Sequence, residues 1–437
     1  MLPPRIFPGS EHPGLVRLET GLAAAVLVML SNAVIGPLFD PGETGGDAIG
    51  WLRLVWLPVY AVILALCAWR APCLARFWRP GAILATLVVW AAISTLWSAA
   101  PDITGRRTLA LGFTTLFGLY LAARFDGREF SELLAGTFLG LALASLAACL
   151  LWPAMGVHQE VNLGDWRGLW YEKNQMGAMM ACGTLSAGVA ASLSPARRRL
   201  WLAAAAICVG MAAMSRSATA FIMLGLILAG LGLFHLGRRG PVATLAAAWL
   251  CMTAGGISAA VAELAPDAFF QALGKDPTIT GRTDIWRLVE HWSDQAPVLG
   301  YGYAGFWTTA SAPANDIRSA LGWLVPNAHS GWLDLRLQLG WSGVVLCGGI
   351  FAVAGAAALL RGRTVKDGHW ALMFLVIFLL SSLSESVILE QNTIFWTLCV
   401  AALARLIGPP PAIARAPPRS VAGMAWGAPL APSAESA

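Results

Sequence analysis

The chain has 437 residues, of which 57% are hydrophobic and only 12% are charged, with a formal net charge of +5. Because a soluble domain carries about 25% charged residues, this composition excludes a soluble enzyme. Apolar runs of about 17 to 25 residues recur along the chain, each long enough to cross a hydrocarbon core of about 30 Å as a helix. Segments of about ten residues with alternating polarity, typical of outer-membrane barrels, are absent. The composition therefore predicts an all-α, polytopic helical bundle in a membrane.

Hydropathy and the spacing of Pro and Gly predict twelve membrane helices, nine before a long polar interval and three after it. The nine fall near 16–38, 50–69, 80–98, 108–123, 131–153, 174–193, 200–215, 217–236 and 241–262, and the last three near 340–360, 369–389 and 391–407. The predicted regions are a cytoplasmic arm (1–15), helices one to nine (16–262), a periplasmic loop (263–328), and the start of helix ten with helices ten to twelve (329–407). The Pro-, Ala- and Gly-rich tail, 408–437, is predicted to be disordered in the cytoplasm.

Arginine clusters follow the even-numbered helices, at Arg70/Arg76/Arg79, Arg124/Arg128, Arg197/Arg198/Arg199, Arg238/Arg239 and Arg361/Arg363/Lys366. Since cytoplasmic loops carry the excess of Lys and Arg, this alternation predicts a multi-pass protein of the bacterial inner membrane with both termini in the cytoplasm. The polar interval 263–340 then faces the periplasm. The eight cysteines lie within or beside apolar runs, which is typical of small core residues rather than disulfides or zinc ligands.

Basic residues that fall on the predicted outer side are candidates either for function or for surface ion pairs. They are Arg106, Arg107, Arg167, Lys173, Arg216, Lys275, Arg282, Arg287, Arg318 and Arg336. Arg216 stands in a short Met-Ser-Arg-Ser-Ala turn between two apolar helices, where an uncompensated charge costs about 2.5–3.5 kcal/mol at the membrane centre. A guanidinium stays charged and can bind phosphate through two N–H groups, which favours anion binding by Arg216. Trp166, Trp170 and Tyr171 beside Arg167 and Lys173 indicate either an interfacial aromatic belt or a rim for a lipid headgroup or a sugar.

The segment TDIWRLVEHWSDQ predicts an amphipathic helix that lies on the bundle, with Thr283 as its cap and Arg282 just before its N-terminus. A cation beside free N–H groups favours an anion, although Arg282 could instead pair with Asp284. The following VLGYGYAGFW brings Tyr301 and Tyr303, either to pack on lipid headgroups or to stack on sugars.

The segment PNAHSGWLDLRLQLG predicts a helix after Pro326, with Asn327 as a cap and His329 in its first turn. Helical periodicity places His329 and Arg336 on one face, so both side chains could point into the same outward-facing cavity. A lone histidine is ordinarily a surface or core residue. With an ordinary pKa of about 6.5, it can also serve as a general base.

Four stretches together resemble the O-antigen ligase and polymerase superfamily. They are STLWSAAPDITGRRTL from Ser94, MSRSATA from Met214, GRTDIWRLVEHWSDQAPVLGYGYAGFW from Gly281 and PNAHSGWLDLRLQLG from Pro326. SLSESVILEQNTIFW, near the end, resembles the exopolysaccharide-polymerase branch. The resemblance implies a glycosyltransferase that passes a glycan from undecaprenyl pyrophosphate to a periplasmic acceptor, without a metal ion, a cofactor or a nucleotide sugar.

The resemblance also implies roles for individual residues. His329 matches the essential histidine of the family, and the pyrophosphate is expected to bind Arg216, Arg282, Arg106 and Arg107. Additional candidates are Arg336, Arg167, Lys173, Tyr301 and Tyr303. Ser330 stands where many relatives have Asn, which leaves the role of that side chain open.

The acceptor is expected to be a growing glycan, with lipid A core or a protein hydroxyl as alternatives. Implied partners are membrane lipids, a flippase and a chain-length regulator, with no nucleic acid. A transporter of polysaccharide or lipid-linked glycan is the alternative from another class. It predicts paired ionisable residues at mid-membrane and two similar halves, and the sequence shows neither pattern.

Overall fold

The computed structural model describes residues 12–33, 52–159, 162–237, 282–361 and 368–409. In these ranges the regular structure is helical, and the one β-type contact is an isolated bridge between Val157 and Trp166. The predicted all-α class is therefore confirmed for the described part of the chain.

The helices are numbered in chain order. They are α1 Pro13–Leu30, α2 Leu52–Trp69, α3 Ala71–Arg76, α4 Trp78–Ile93, α5 Pro101–Arg124, α6 Gly127–Leu151, α7 Pro153–Gly156, α8 Lys173–Leu193, α9 Arg198–Met214, α10 Ala218–Gly237, α11 Arg282–Gln295, α12 Ala312–Leu321, α13 Gly331–Arg361, α14 Gly368–Ser384 and α15 Ile394–Ile407. Short 3₁₀ turns at Ser94–Leu96 and Pro195–Arg197 follow α4 and precede α9.

Five segments within the described ranges are long and apolar enough to span a membrane: Pro13–Leu30, Trp78–Leu96, Gly127–Leu151, Lys173–Leu193 and Gly331–Ala358. Four shorter apolar helices accompany them, at Leu54–Trp69, Ala218–Leu233, His369–Ser384 and Ile394–Ile407. A helix lies at eleven of the twelve predicted positions. The ninth, 241–262, lies outside the described residues, as do 1–11, 263–281 and most of the tail. The chain is thus a multi-pass helical membrane protein, and the count of twelve stays a prediction.

Close helix contacts in the bundle depend on small residues. A Cβ on Gly118 of α5 would lie 2.6 Å from the carbonyl oxygen of Thr397 in α15, and one on Gly183 of α8 would lie 2.8 Å from Cys208 Sγ in α9. In a bilayer, helices associate through such packing, because lipid tails are as apolar as the side chains. The large core includes Trp170, Trp370 and Trp396, each at most 2% exposed.

The two ends of the bundle differ in chemistry. At one end, here called the arginine end, Glu19 accepts hydrogen bonds from Arg70 and Arg124. The other, the histidine end, comprises 94–107, 152–159, 162–172, 215–217, 282–335 and 385–393. It is joined by long-range hydrogen bonds, such as Tyr303 N–H to Ser94 Oγ (2.9 Å). The described part of the predicted polar interval, 282–340, therefore packs on one end of the bundle.

Two predicted helix starts are wrong by a few residues. Helix α13 begins at Gly331, a few residues after the predicted cap Asn327, and it is kinked at Gly340, where φ is 63° and ψ is −166°. His329 therefore precedes the helix instead of occupying its first turn. In α11, Arg282 is the first helical residue and Thr283 lies inside the helix, so Thr283 is not its cap.

Candidate functional site

His329 lies in a loop held against the first turn of α13. Its backbone has a φ of 48°, in the left-handed region, where a non-glycine residue costs of order 1–3 kcal/mol and persists only when its surroundings enforce it. The His329 N–H donates to Asn327 Oδ1 (2.9 Å). Next to it, the Ala328 N–H donates to both carboxylate oxygens of buried Asp334 (3.1 and 3.2 Å). The loop conformation, and so the position of the imidazole, is fixed by these side chains.

Asp334 also ties this loop to two other segments. The Trp307 indole donates to Asp334 Oδ1 (2.7 Å), and the Ser386 hydroxyl donates to Asp334 Oδ2. The predicted periplasmic loop, the start of α13 and the segment after α14 thus meet at one carboxylate. Since a buried carboxylate must be compensated by donors, these hydrogen bonds account for the position of Asp334 in an apolar stretch.

Arg282 is the charged neighbour of His329. Its Nη2 lies 3.2 Å from Glu385 Oε1, and its side chain is only 18% exposed. Burial, together with the charge of Arg282, lowers the pKa of His329 to about 4. The imidazole is therefore neutral at physiological pH and can accept a proton. The alternative pairing of Arg282 with Asp284 is not what the structure shows, because Asp284 pairs with Arg287 at 3.0 Å.

Arg216 occupies the turn between α9 and α10. Its φ is 49°, its side chain is 69% exposed, and its Nη1 lies 3.4 Å from Asp165 Oδ1. Asp165 is 6% exposed and is bound more tightly by Lys173 (2.6 Å). The Arg216 guanidinium is thus anchored weakly and is accessible to a ligand.

The structure places Arg216 at the same end of the bundle as Arg282 and His329. Trp370, near the start of α14, donates to Ser186 Oγ in the second half of α8 (3.2 Å). Ser186 lies about 20 Å from the first residue of α8, and Trp370 about 21 Å from the last residue of α14. Trp370 also packs on Phe130 near the start of α6 (ring centroids 4.7 Å apart), and Ser194, at the end of α8, donates to Glu132 in the same part of α6. The start of α14 and the end of α8 therefore lie at the same end of the bundle, and the two helices are antiparallel. The end of α14, followed by Glu385, lies level with the start of α8, where Lys173 and Asp165 meet Arg216.

Arg106 and Arg107 lie on the second turn of α5, also at the histidine end. Arg106 is exposed and Arg107 is half-buried. The Thr104 hydroxyl donates to the Tyr303 carbonyl (2.7 Å), which joins this turn to the loop after α11. The positive charge of Arg107 also acts on the Tyr303 hydroxyl.

The five additional candidates are engaged in contacts within the protein. Arg167 donates to the carbonyls of Met155 (2.8 Å) and Ala154 (3.2 Å), and Lys173 holds Asp165. The Tyr301 hydroxyl donates to the Trp292 carbonyl (3.0 Å), and Tyr303 is buried with its hydroxyl 2.6 Å from the Leu389 carbonyl. Arg336 pairs with Asp294 and covers the Trp341 ring at 5.0 Å. Its guanidinium is thus engaged by Asp294 and Trp341, and a cavity shared with His329 stays a prediction.

Sequence analysis missed Asp334, Glu385 and Ser386 as parts of this site. The available signal was the occurrence of carboxylates in otherwise apolar stretches, since such residues are costly in a membrane and require partners.

The region that carries this site matches a known family. Residues 200–348 match a family model described as O-antigen ligase, and that range includes Arg216, Arg282 and His329. The predicted resemblance to the O-antigen ligase superfamily is confirmed. The exopolysaccharide production protein ExoQ of Rhizobium meliloti (strain 1021) is 25% identical over 291 residues, which is 62% of this chain and 64% of that protein. The alignment thus spans less than two thirds of that relative, and it supports the exopolysaccharide branch of the superfamily.

Proposed function

We propose that the chain is a membrane glycosyltransferase that transfers a glycan from undecaprenyl pyrophosphate to a growing exopolysaccharide in the periplasm. The observation that carries this proposal is the juxtaposition of a neutral, half-buried His329 with Arg282 inside the family-matched region. The relative named for exopolysaccharide production favours a glycan acceptor over lipid A core or a protein.

The proposed reaction is a single inverting displacement. The acceptor hydroxyl attacks the anomeric carbon, a new C–O bond forms, and the bond from that carbon to the pyrophosphate oxygen breaks with its electron pair. His329 accepts the hydroxyl proton, a role that contributes about 10²- to 10⁴-fold to a rate. Arg282 and Arg216, with Arg106 and Arg107, stabilise the negative charge that develops on the leaving pyrophosphate. Because arginines supply this charge, the mechanism requires neither a metal ion nor a cofactor.

Before the donor binds, Glu385 is the anionic partner of Arg282. Without donor, the Glu385 carboxylate accepts from the Arg282 guanidinium at 3.2 Å. A pyrophosphate carries more charge and more acceptor oxygens than one carboxylate, so it competes effectively for the same donors. Exchange of Glu385 for pyrophosphate therefore loads the site without a large movement of α11.

The proposed orientation follows from charge. The loops at the arginine end carry the Arg clusters, so they face the cytoplasm together with both termini, and the histidine end faces the periplasm. The donor then reaches the site after a flippase has moved it across the membrane, and a chain-length regulator acts on the product.

Purified protein and a lipid-linked oligosaccharide donor test the proposal. We expect His329→Ala to lower the transfer rate by at least about 10²-fold, because the proton acceptor is lost. Arg282→Ala should lower it by about 10²- to 10³-fold. Arg287→Ala is the matched control, since Arg287 lies on the same helix, is 77% exposed and pairs with Asp284. Transfer by His329→Ala at the wild-type rate would show that the proton acceptor is misassigned.

Deletion of the gene distinguishes the acceptors. We expect loss of high-molecular-weight exopolysaccharide. Loss of long-chain lipopolysaccharide instead would indicate a ligase, and loss of a glycoprotein would indicate a protein acceptor. If all three products persist, the enzyme proposal fails.

A further inference from the structure

Two cations share the Asp165 carboxylate at the histidine end of the bundle. Lys173 Nζ donates to Asp165 Oδ2 (2.6 Å), and Arg216 Nη1 lies 3.4 Å from Asp165 Oδ1. Within the described ranges, these two side chains are the hydrogen-bond donors to this carboxylate. The Asp165 side chain is only 9% exposed, so its charge is compensated by these two side chains more than by water.

The two cations are not equivalent. The contact of Lys173 is as short as a charge-assisted hydrogen bond, whereas that of Arg216 is longer than one. Lys173 is also the first residue of α8 and is largely buried, while the Arg216 side chain is mostly exposed. Exposed ion pairs contribute little to stability. Lys173 is therefore the permanent partner of Asp165, and Arg216 is the partner that can leave.

The backbone around Arg216 is fixed, so only its side chain is free to move. The Trp166 N–H, next to Asp165, donates to the Met214 carbonyl (3.1 Å). The Ser217 N–H donates to Ser215 Oγ (3.3 Å), and both serines are buried. A ligand at the Arg216 guanidinium therefore requires that the side chain turn away from Asp165 while the turn between α9 and α10 stays in place.

The two arginines at the centre of the candidate site differ in the carboxylates that they leave. Glu385, the partner of Arg282, has a side chain that is 31% exposed, so water can hydrate it once Arg282 is withdrawn. Asp165 is much less exposed, and an uncompensated buried carboxylate is costly. Arg216 can therefore exchange Asp165 for a ligand only if another cation remains beside Asp165.

We infer that Lys173 is a positioning residue for the donor site. By holding the Asp165 carboxylate, it frees the Arg216 guanidinium to turn toward the pyrophosphate of the donor, and it need not touch the donor itself. This inference rests on the proposed function, in which Arg216 binds that pyrophosphate. Without Lys173, Asp165 would retain Arg216, and the donor would meet fewer molecules with a free guanidinium.

Steady-state transfer by the purified full-length protein, with a lipid-linked oligosaccharide donor, tests this inference. We expect Lys173→Met to raise the donor KM by about tenfold and to lower kcat much less, because the donor binds only the fraction of molecules in which Arg216 is free. Adding Asp165→Asn to this variant should return KM to within about twofold of the wild-type value, because Arg216 is then released again.

The double variant separates positioning from direct contact. If the Lys173 ammonium bound the donor itself, removal of the Asp165 charge would not restore the donor KM. Lys173→Arg should keep the wild-type KM, because it retains the charge. Lys173→Gln keeps a hydrogen-bond donor but not the charge, so it should raise KM as Lys173→Met does. It also takes the place of Lys173→Met if that variant does not fold.

Arg128→Met is the matched control. Glu132, at the arginine end, likewise meets two cations, Arg128 (3.2 Å) and Arg197 (3.4 Å), and Arg128→Met removes one of them. We expect this variant to keep the wild-type donor KM. Thermal unfolding of all variants in one detergent shows whether a change in KM merely follows a loss of stability.

A second readout requires no transfer. Phenylglyoxal modifies free guanidinium groups, and mass spectrometry of peptides gives the rate of modification at Arg216 alone. We expect Lys173→Met to slow this modification, because Asp165 then retains the guanidinium. Asp165→Asn in the same chain should restore the wild-type rate.

Two kinetic results would overturn the inference: a wild-type donor KM in both Lys173→Met and Lys173→Gln, or a KM that stays raised in the double variant. Unchanged modification of Arg216 in Lys173→Met would do the same. Absence of transfer by the wild type, or a wild-type KM in Arg216→Ala, would instead count against the proposed function. The modification rates would still decide whether Lys173 frees Arg216.

Discussion

At the scale of single residues, the protonation state of His329 is set by its surroundings. Burial and the charge of Arg282 lower the pKa of His329 to about 4, so the imidazole is neutral above that pH. Because this pKa is below that of an unfolded chain, about 6.5, stability contributed by the neutral imidazole is complete above pH 6.5 and is lost as the pH falls toward 4. A bound pyrophosphate would offset the charge of Arg282 and raise the pKa again.

The pH dependence of transfer tests this account. For the wild type we expect kcat/KM, which reports the free enzyme, to keep its value down to about pH 5 and to fall near pH 4. The acidic limb of kcat, which reports the donor complex, should lie at higher pH, because the bound anion favours the protonated imidazole. Steady-state rates between pH 4 and 8 measure both. An acidic limb of kcat/KM near pH 6.5 would contradict the effect of burial and Arg282.

At the scale of elements, the kink in α13 is completed by the loop after α11. At Gly340 the helical hydrogen bonds are interrupted, and the carbonyls of Leu337 and Gln338 accept from the N–H groups of Tyr301 (3.0 Å) and Gly302 (2.9 Å). In return, the N–H groups of Trp341 and Ser342 donate to the carbonyls of Pro297 (2.8 Å) and Val298 (3.2 Å). The loop and the kink therefore provide each other's backbone hydrogen-bond partners. These bonds hold the loop that carries Tyr301 beside the first half of α13.

Substitution of Gly340 tests whether the kink and these backbone hydrogen bonds require a glycine. A Cβ there would lie 2.6 Å from the Leu299 nitrogen, and the φ of 63° strains any residue with a side chain. We expect Gly340→Ala to cost about 1–3 kcal/mol. Gly348→Ala on the same helix, where a Cβ meets nothing within 4 Å, should be neutral or stabilising by about 0.5–1 kcal/mol. Thermal unfolding in detergent measures both, and equal effects would show that the kink tolerates a side chain.

At the scale of the whole molecule, a cluster of buried charged residues lies at the arginine end of the bundle, opposite the candidate functional site. Glu19, which is fully buried, accepts from Nε and Nη2 of Arg70 (both 2.7 Å), from Nε of Arg124 and from the Tyr120 hydroxyl (3.0 Å). These residues join α1, the end of α2 and the end of α5. Two guanidinium groups depend on this one carboxylate, so its removal leaves buried positive charge uncompensated.

Neutralising Glu19 should therefore destabilise the whole bundle. We expect Glu19→Gln to cost about 3–5 kcal/mol, the usual effect of removing one partner from a buried ion pair. Glu129→Gln is the matched control, because Glu129 also contacts Arg124 (3.4 Å) but is 50% exposed, and Gln retains its role in the capping box of α6. The measurement is the thermal unfolding of both variants in one detergent. A Glu19→Gln protein as stable as the control would mean that water or lipid compensates the arginines.

The sequence by itself determined the fold class, the positions of most helices and the resemblance to the O-antigen ligase superfamily, and it singled out His329, Arg282 and Arg216 as candidates. Hydropathy is a local property of the sequence. In a bilayer, each apolar run must form its backbone hydrogen bonds within itself, as a helix, so the helices can be predicted one segment at a time. The conformation of the site was decided only by the tertiary structure. Arg282 meets Glu385 across 103 residues, and Asp334 fixes the His329 loop with help from Ser386 and Trp307. Arg336 turns instead to Asp294. Each of these contacts depends on which helix ends meet in space, and local patterns of hydropathy and charge do not specify that.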